Sequence, residues 1–331
     1  MDDLSPRTFD LIEHSRADHA RVVLVDWMLG NSCSYACSYC PKSLHDGSVR
    51  WQSVADVLAF YDLLQRHYAQ LRGKRVWLQF TGGEPTMHPQ IIRLLEAATA
   101  CGFQVSLISN ASRTLRFWER IAPHLDSVIL TYHNEFAELD HFRSVGRMLA
   151  ERMPVHLNVT MRPEHFDRTL DETQALRDAM PAASITLKPL RVDFDHDLFD
   201  YTPAQLRIMA AGLPAKAAQT GAMPRGTMTV QGTGLPRRAV RANEFMIRGE
   251  NRWKGYRCNA GIESLRIKGN GSITRAVCSV GGEIGRLGGT VTLPVAPIVC
   301  SAEVCACVAD ILITKSRPSG QSPERRVAST G

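Results

Sequence analysis

The sequence predicts an α/β protein in which helices cover a parallel β-sheet. Segments with the apolar pattern of strands alternate with amphipathic segments of helical length from Val22 to Pro189. The predicted strands are apolar with little interruption, as over 128–132, which is typical of strands buried on both faces. These observations predict a sheet of strand-helix units, because parallel neighbours need crossover connections of helical length.

Each element is predicted by its own pattern. Val22 to Trp27 form the first apolar run, and residues 52–71 carry apolar side chains at helical spacing, which predicts the first long helix. Further strands are predicted at 76–80, 105–109, 128–132, 155–160 and 185–189. Helices are predicted between them at 89–100, 115–121, 141–151 and 169–179, and the chain therefore holds six strand-helix units.

Composition limits the class of protein. The 331 residues are 44% hydrophobic, which suffices for one barrel-sized domain and a smaller second unit. The apolar runs are shorter than a membrane span and residues 1–20 lack the pattern of a signal peptide, so we expect a cytoplasmic protein with no membrane partner. The odd number of cysteines, nine, and their clustering favour metal sites over disulfides. A formal charge of +6 permits a nucleic-acid partner without requiring one.

Three cysteines follow the first predicted strand with the spacing Cys33-Ser-Tyr-Ala-Cys37-Ser-Tyr-Cys40. Three thiolates on one short loop can hold three corners of a cubane iron-sulfur cluster and leave the fourth iron open for another molecule. A zinc site with His45 as a fourth ligand and a redox-active dithiol are the alternatives.

A second motif, Thr81-Gly-Gly-Glu-Pro-Thr86, follows the second predicted strand. A zinc ribbon has no use for this motif. With both motifs in this order, the chain resembles the radical S-adenosylmethionine (SAM) superfamily, whose pattern is CxxxCxxC after the first barrel strand and a GGEP-type motif after the second. The resemblance implies a partial (β/α)6 TIM-like barrel, open on one side for substrate, with its reactive loops at the carboxyl ends of the strands.

The resemblance also implies a mechanism. Cys33, Cys37 and Cys40 are expected to bind a [4Fe-4S] cluster whose open iron binds SAM, and reduction by a donor such as flavodoxin or ferredoxin yields a 5'-deoxyadenosyl radical that abstracts a hydrogen atom. Glu84 is expected to accept from the SAM ammonium group, and the glycines before it to allow close approach. The full set of expected SAM contacts is Tyr39, Gly82, Gly83, Glu84, Pro85, Ser109, Asn110, Asn158 and Thr160.

Polar residues at later strand ends are candidates for binding the substrate. His133, Asn134 and Glu135 follow the fourth strand, and Arg162, Lys188 and Arg191 follow later ones. We predict catalytic roles for His133, Glu135 and Lys188. The alternatives are a structural role for His133 and ordinary turn formation by Ser109 and Asn110. Lys188 and Arg191 could pair with Asp193 or Asp195 instead of a substrate anion.

Five further cysteines lie near the C-terminus. Cys258 and Cys278 flank a predicted hairpin whose turn is Gly269-Asn-Gly271, and Cys300, Cys305 and Cys307 share one loop. The arrangement resembles the SPASM and twitch domains, which hold auxiliary [4Fe-4S] clusters. With five cysteines instead of seven, and six residues between Gly271 and Cys278, we expect one auxiliary cluster held by four of the five. Zinc is the alternative metal, and Cys101 is expected to be a buried structural thiol.

The predicted division of the chain has five parts. Residues 1–20 are an N-terminal extension, 21–192 the barrel, 193–255 a bridging region with one helix at 203–211, 256–312 the auxiliary-cluster domain, and 313–331 a basic tail that we expect to be disordered.

Three hypotheses for the substrate remain open. The enzyme rearranges, oxidises or epimerises an amino-acid-derived or other small molecule, acts as a peptide (RiPP) maturase, or modifies an amino-acid-decorated nucleobase, such as glycine-modified thymine in viral DNA, within a host cytoplasm. About twenty residues precede the first strand, which counts against a leader-binding domain of a maturase. We expect a monomer or weak dimer. A two-cluster electron carrier is the non-enzymatic alternative, although it would not need Gly82 to Glu84.

Overall fold

Strands and helices alternate through the first half of the chain. The computed structural model describes residues 8–71, 73–194, 197–213, 216, 221–232 and 235–318. After a short strand β1 (Leu11–His14) and one helical turn α1 (Ala17–Ala20), the order is β2 (Val22–Met28), α2 (Val54–Ala69), β3 (Arg75–Thr81), α3 (Ile91–Ala100), β4 (Gln104–Ser109), α4 (Leu115–Ile121), β5 (Ser127–Tyr132), α5 (Leu139–Ala150), β6 (Val155–Met161), α6 (Phe166–Ala179) and β7 (Ser184–Pro189). The six predicted strands and the helices between them are confirmed, with ends that differ by a few residues.

The second half has shorter elements. They are α7 (Pro203–Ala211), β8 (Met228–Gly232), β9 (Leu235–Val240), α8 (Ala242–Ile247), β10 (Arg257–Cys258), β11 (Ser264–Ile267), β12 (Ser272–Thr274), β13 (Glu283–Arg286), β14 (Ile298–Val299), α9 (Val308–Ile311) and β15 (Lys315–Ser316). Helix α7 has the predicted bounds, because Thr202 and Gln205 form a capping box at its start. Within the described ranges, no helix combines the length and the apolar character needed to span a bilayer.

Strands β2 to β7 pair in parallel and in chain order. They form the larger part of a nine-stranded sheet whose two edge strands are β13 and β7. Because the described strands β7 and β2 do not pair, the sheet does not close. The arrangement is consistent with the predicted partial barrel, which is open on one side.

The two faces of this sheet differ in polarity. Val23, Val25 and Trp27 of β2 lie in the main hydrophobic core with the apolar side chains of α2 to α6. The alternate residues point to the opposite face, which we call the inner face. There the register places Asp26 beside Gln79. The other polar residues at inner-face positions include Ser106, Thr131, Asn158, Thr160, Thr186 and Lys188. The inner face therefore suits a polar ligand.

The predicted C-terminal hairpin is confirmed, and it extends the barrel sheet. Strand β11 pairs antiparallel with β12 and parallel with β2, with Arg266 opposite Asp26. Gln52 fixes this junction: its Nε2 donates to the carbonyl oxygens of Lys268 (2.8 Å) and Met28 (3.1 Å). The hairpin therefore lies directly beside the strand that leads into the first cysteine loop.

A second sheet has the order β14-β10-β15-β1-β8-β9. It joins segments that the sequence analysis assigned to an N-terminal extension, a bridging region, the auxiliary-cluster domain and a disordered tail. The expectation of disorder is wrong for Lys315 and Ser316, which pair with β1 and β10; residues 319–331 lie outside the described part of the chain. The short strands escaped prediction because their partners are distant in sequence.

A buried charged cluster connects the two sheets. Arg225 donates to the carbonyl oxygens of Val22 (3.0 Å) and Leu312 (3.1 Å). The Glu263 carboxylate accepts from His14 Nε2 of β1 (3.2 Å) and from the backbone N–H of Thr314 (2.9 Å). Burial by itself would raise the pKa of Glu263, but the His14 hydrogen bond and the charge of Arg225 lower it to about 2. The carboxylate is therefore ionised at neutral pH.

Candidate functional site

The two sequence motifs lie side by side at the carboxyl ends of β2 and β3. Backbone pairing continues past the strands, since the N–H of Gly83 donates to Gly30 O (3.2 Å) and that of Glu84 donates to Ser32 O (2.7 Å). Cys33 follows immediately on the same loop. The parallel register of β2 and β3 therefore brings the cysteine loop against the glycine motif.

The two glycines of the motif are required by this loop-to-loop contact. A Cβ atom on Gly82 would lie 2.3 Å from Gly30 O, and one on Gly83 would lie 2.2 Å from Ser32 O. Gly82 also has φ +107°, a conformation that favours glycine. We predicted that these glycines give SAM a close approach; the structure adds that they let the two loops approach each other.

Glu84 is buried and fully engaged by the protein. Its Oε1 accepts from the backbone N–H (3.0 Å) and hydroxyl (2.6 Å) of Thr86 and from the Ser109 hydroxyl (2.8 Å), and its Oε2 accepts from the backbone N–H of Asn110 (2.8 Å). Burial raises the pKa of Glu84, against the effect of these bonds. The carboxylate connects the end of β3 to the end of β4. Pro85 begins the short helical turn Pro85–Met87 that follows Glu84.

Ser109 and Asn110, both expected to contact SAM, serve this network as well. The Asn110 side chain donates to the Ser34 hydroxyl (3.1 Å) and towards Cys33 Sγ (3.7 Å). Turn formation, the alternative role, is observed for both side chains, because Ser109 Oγ accepts from the N–H of Ala111 (3.1 Å) and Asn110 Oδ1 accepts from the N–H of Ser112 (3.0 Å). The Asn110 amide still lies at the cysteine loop, where it reaches a predicted cluster ligand.

All nine cysteines are free thiols. The thiol of Cys33 also accepts from the backbone N–H of Tyr35 (3.4 Å). Burial raises the pKa of the Cys37 thiol to about 12 and of the Cys40 thiol to about 11. A metal that binds them must displace these protons. N–H donors aimed at a sulfur are a common feature around protein-bound iron-sulfur clusters, so this loop fits the predicted cluster.

In the part of the chain that the structure describes, no three His, Cys, Asp or Glu side chains converge tightly enough to hold one metal ion. This includes the alternative zinc site with His45. A cubane needs a wider arrangement, because each thiolate binds a different iron.

Tyr39, His133 and Thr160 form a chain of hydrogen bonds beside the cysteine loop. The Thr160 hydroxyl donates its only proton to the carbonyl oxygen of Tyr132 (2.9 Å). In its other hydrogen bond it must therefore accept, and the donor is Tyr39 Oη (3.1 Å). His133 Nδ1 must then carry the proton shared with Tyr39 Oη (2.6 Å). Burial, with a smaller contribution from the charge of Lys188, lowers the pKa of His133 to about 4. The His133 imidazole is therefore neutral at neutral pH, and its Nε2 is a hydrogen-bond acceptor.

Glu135 holds the middle of the cysteine loop. Its Oε2 accepts from the backbone N–H (2.9 Å) and hydroxyl (3.2 Å) of Ser38, and it pairs with Arg162 (3.4 Å), which also binds Glu164. The carboxylate predicted to be catalytic thus positions the segment between Cys37 and Cys40. A direct part in the reaction stays a prediction.

Lys188 lies on the inner face of β7, opposite Thr160 of β6. It has no hydrogen bond or ion pair to any residue in the described ranges, so the alternative pairing with Asp193 is not observed there; Asp195 lies outside them. The side chain is exposed toward the concave inner face, yet surrounding protein lowers its pKa by desolvation. Asn158 of the neighbouring strand β6, opposite Thr186 of β7, also lies on this face.

Four of the five C-terminal cysteines line one small cavity. They are Cys258, Cys278, Cys300 and Cys305. The buried Asp310 holds this site by accepting from the backbone N–H groups of Val277 (3.1 Å) and Cys278 (2.6 Å). Burial raises the pKa of the Cys278 thiol to about 12. Cys307, two residues after Cys305, is not among the lining residues and occupies the N-cap position of α9 without a side-chain capping hydrogen bond.

Lys315 brings a buried positive charge to the same cavity. Its Nζ donates to the carbonyl oxygens of Asp310 (2.7 Å) and Ile313 (2.8 Å) and lies 4.4 Å from the ring centroid of Trp253. The sequence analysis missed both Lys315 and Asp310, because their proximity to the cysteines arises only from folding. It also missed the inner-face pair of Asp26 and Arg266, although a charge within the apolar run 22–28 was a usable signal.

The family of the chain follows from comparison with known sequences. The model of the radical SAM superfamily matches residues 27–197, and the chain belongs to this superfamily. Membership implies an enzyme that uses a [4Fe-4S] cluster and SAM and requires an electron donor. No curated protein sequence matches the chain.

Several solved structures are similar at low sequence identity. SuiB from Streptococcus suis bound to the precursor peptide SuiA is 14% identical over 79% of this chain and 61% of SuiB, with a TM-score of 0.49. SuiB bound to S-adenosylmethionine is 14% identical over 79% of this chain and 62% of SuiB, with a TM-score of 0.47. The anSMEcpe structure with bound AdoMet is 12% identical over 81% of this chain and 79% of anSMEcpe, with a TM-score of 0.49. The chain thus spans less than two thirds of the length of SuiB.

Proposed function

We propose that this chain is a radical SAM enzyme that abstracts a hydrogen atom from a small, polar, amino-acid-derived substrate bound on the inner face of the barrel. The observation that carries the proposal is the contact between the Cys33–Cys40 loop and Gly82–Glu84 at the carboxyl ends of β2 and β3. When bound there, the cluster and SAM supply a 5'-deoxyadenosyl radical. The polar inner face supports a polar substrate, and Lys188, which has no partner among the described residues, supports one with an anionic group.

The residues of the chain prepare the site for this reaction. Glu84 and Glu135 fix the loops that carry the predicted ligands, through backbone bonds to Asn110 and Ser38. The chain of hydrogen bonds from His133 through Tyr39 fixes both rings, which stack with an interplanar angle of 17°. A rigid pocket orients its reactants before reaction and so lowers the entropic barrier.

We further propose that Cys258, Cys278, Cys300 and Cys305 bind the auxiliary cluster. Four thiols around one cavity match the ligand count of a fully ligated [4Fe-4S] cluster. The buried Lys315 ammonium offsets the negative charge that such a site acquires. This assignment leaves Cys101 and Cys307 outside both clusters.

Anaerobic reconstitution tests the proposal. With iron, sulfide, dithionite and SAM, we expect about eight iron atoms per chain and formation of 5'-deoxyadenosine. Cys37→Ala should lose about four iron atoms and the 5'-deoxyadenosine. Cys258→Ala should also lose about four iron atoms. The matched control Cys101→Ala changes a cysteine outside both sites and should behave as the wild type.

Two results would contradict the proposal. No 5'-deoxyadenosine with dithionite, titanium citrate or reduced flavodoxin would exclude the reaction. About four iron atoms together with one zinc per chain would replace the auxiliary cluster by a zinc site.

A further inference from the structure

We propose that Cys307 faces the substrate pocket on the inner face of the barrel and donates a hydrogen atom to the carbon radical formed there. The inference rests on the proposed function and deepens it by adding a residue for the second half of the reaction. It starts from a separation among the C-terminal cysteines: four line the cluster cavity, and Cys307, two residues after Cys305, does not.

The packing of α9 places Cys307 at the inner face. Ala309 of α9 packs against Val22, Leu24 and Trp77. These side chains alternate with the core residues Val23, Val25, Val76 and Leu78, so they point to the inner face. Helix α9 therefore covers the first residues of β2 and β3 from the inside. Cys307, at its N-terminus, is only partly buried.

Three charged side chains lie within electrostatic range of Cys307. Asp310 of α9 itself acts on the Cys307 thiol more strongly than Asp26 of β2, which pairs with Arg266 (2.5 Å) on the inner face. Lys188 of β7, on the same inner face, is within electrostatic range of Cys307 as well. Because Lys188 has no other partner among the described residues, it can bind an anionic group of the substrate next to the thiol. Lys188 and Cys307 thus define one side of a pocket, opposite β2.

The chemistry balances with groups already proposed. The S–H bond of Cys307 breaks, a C–H bond forms at the substrate radical, and the cysteine sulfur becomes a thiyl radical. One electron from the reductant that the enzyme requires, together with one proton from water, would restore the thiol. A hydrogen atom returned to carbon favours inversion or rearrangement of the substrate over its net oxidation.

The location is tested first in the reconstituted Cys101→Ala protein, in which Cys307 is the only cysteine outside the two proposed sites. Under anaerobic native conditions, iodoacetamide should label Cys307, identified by peptide mass spectrometry, and leave the other seven unlabelled. Cys307→Ser should retain the iron content of its parent, whereas Cys305→Ala should lose about four iron atoms. Loss of iron from Cys307→Ser, or no labelling of Cys307, would overturn the inference.

Hydrogen transfer is tested without knowing the substrate. In D2O the thiol exchanges to S–D, so 5'-deoxyadenosine formed in the absence of substrate should gain one deuterium in the Cys101→Ala protein. Cys307→Ser in the same background should reduce this incorporation at least tenfold. Unlabelled 5'-deoxyadenosine from the parent, or equal incorporation in both proteins, would overturn the inference and leave the proposed function intact. The absence of 5'-deoxyadenosine from both proteins would instead contradict the proposed function.

Discussion

Single residues at this site act mainly on the shape of the loops. Glu84 accepts four hydrogen bonds from the protein, and Glu135 accepts two from Ser38. A buried carboxylate that is satisfied by several donors fixes its neighbours, because the loss of one partner leaves a costly unpaired group. The acidic residues near the cysteine loop thus position the expected cofactors.

Gly83 offers a clean test of the contact between the loops. Its φ is not in the left-handed region, so Gly83→Ala adds only a steric conflict, with the new Cβ 2.2 Å from Ser32 O. We expect a loss of about 1–3 kcal/mol in the free energy of unfolding, together with incomplete cluster assembly. Thermal unfolding and iron content measure the two effects.

The matched control is Gly221→Ala, where a Cβ would meet nothing within 4 Å. It should leave both quantities unchanged. If Gly83→Ala unfolds at the wild-type temperature and keeps all its iron, the two loops do not depend on this contact.

At the scale of elements, the C-terminal hairpin is an extension of the barrel sheet. Strand β11 continues the sheet beyond β2, and the chain then carries Cys278 to the cluster cavity. The distance between the two proposed clusters is therefore set by a continuous hydrogen-bonded sheet. The junction is fixed by few side chains, which makes it open to mutation.

Gln52 is the side chain to change at this junction. Besides its bonds to Met28 O and Lys268 O, its Oε1 accepts from Trp27 Nε1 (2.6 Å). Gln52→Leu leaves the buried indole N–H of Trp27 without a partner and should cost about 1–3 kcal/mol. Amide hydrogen exchange should rise in residues 264–274, as measured by mass spectrometry.

Gln70→Leu, at an exposed position just past α2, is the control for this change. It should leave exchange in the hairpin unaltered. Equal protection of residues 264–274 in Gln52→Leu and the wild type would show that β-sheet pairing alone holds the hairpin.

At the scale of the whole molecule, two sheets meet at a buried cluster of charges. Glu263 connects β1 and the segment before β15 to the hairpin, and Arg225 connects the barrel strand β2 to the end of α9. Parts of the chain that are distant in sequence are thus joined by polar contacts. Removal of one charge would leave the others buried and uncompensated.

The pKa of Glu263 predicts a pH dependence of stability. A pKa of about 2 in the folded protein lies below the usual glutamate value of 4.5, so the stabilisation is complete above pH 4.5 and is lost as the pH falls toward 2. The shift corresponds to about 3 kcal/mol. Glu263→Gln should lower the unfolding temperature at pH 7 and flatten its dependence on pH between 4.5 and 2.

The exposed pair of Lys254 and Glu303 supplies the comparison. Because surface ion pairs contribute at most about 1 kcal/mol, Glu303→Gln should unfold with the pH dependence of the wild type. An unchanged profile in Glu263→Gln would mean that Glu263 does not carry the acid sensitivity.

The sequence by itself determined the order of the barrel elements, the position of both motifs at strand ends and the hairpin. Each of these depends on local spacing: apolar periodicity, a Cys33–Cys40 loop, a Gly-Asn-Gly turn. The tertiary structure decided which four C-terminal cysteines share a cavity, that α9 packs on the inner face, that Glu84 is satisfied by the protein, and that short strands form a second sheet. These features depend on contacts between segments far apart in the chain, which local patterns do not encode.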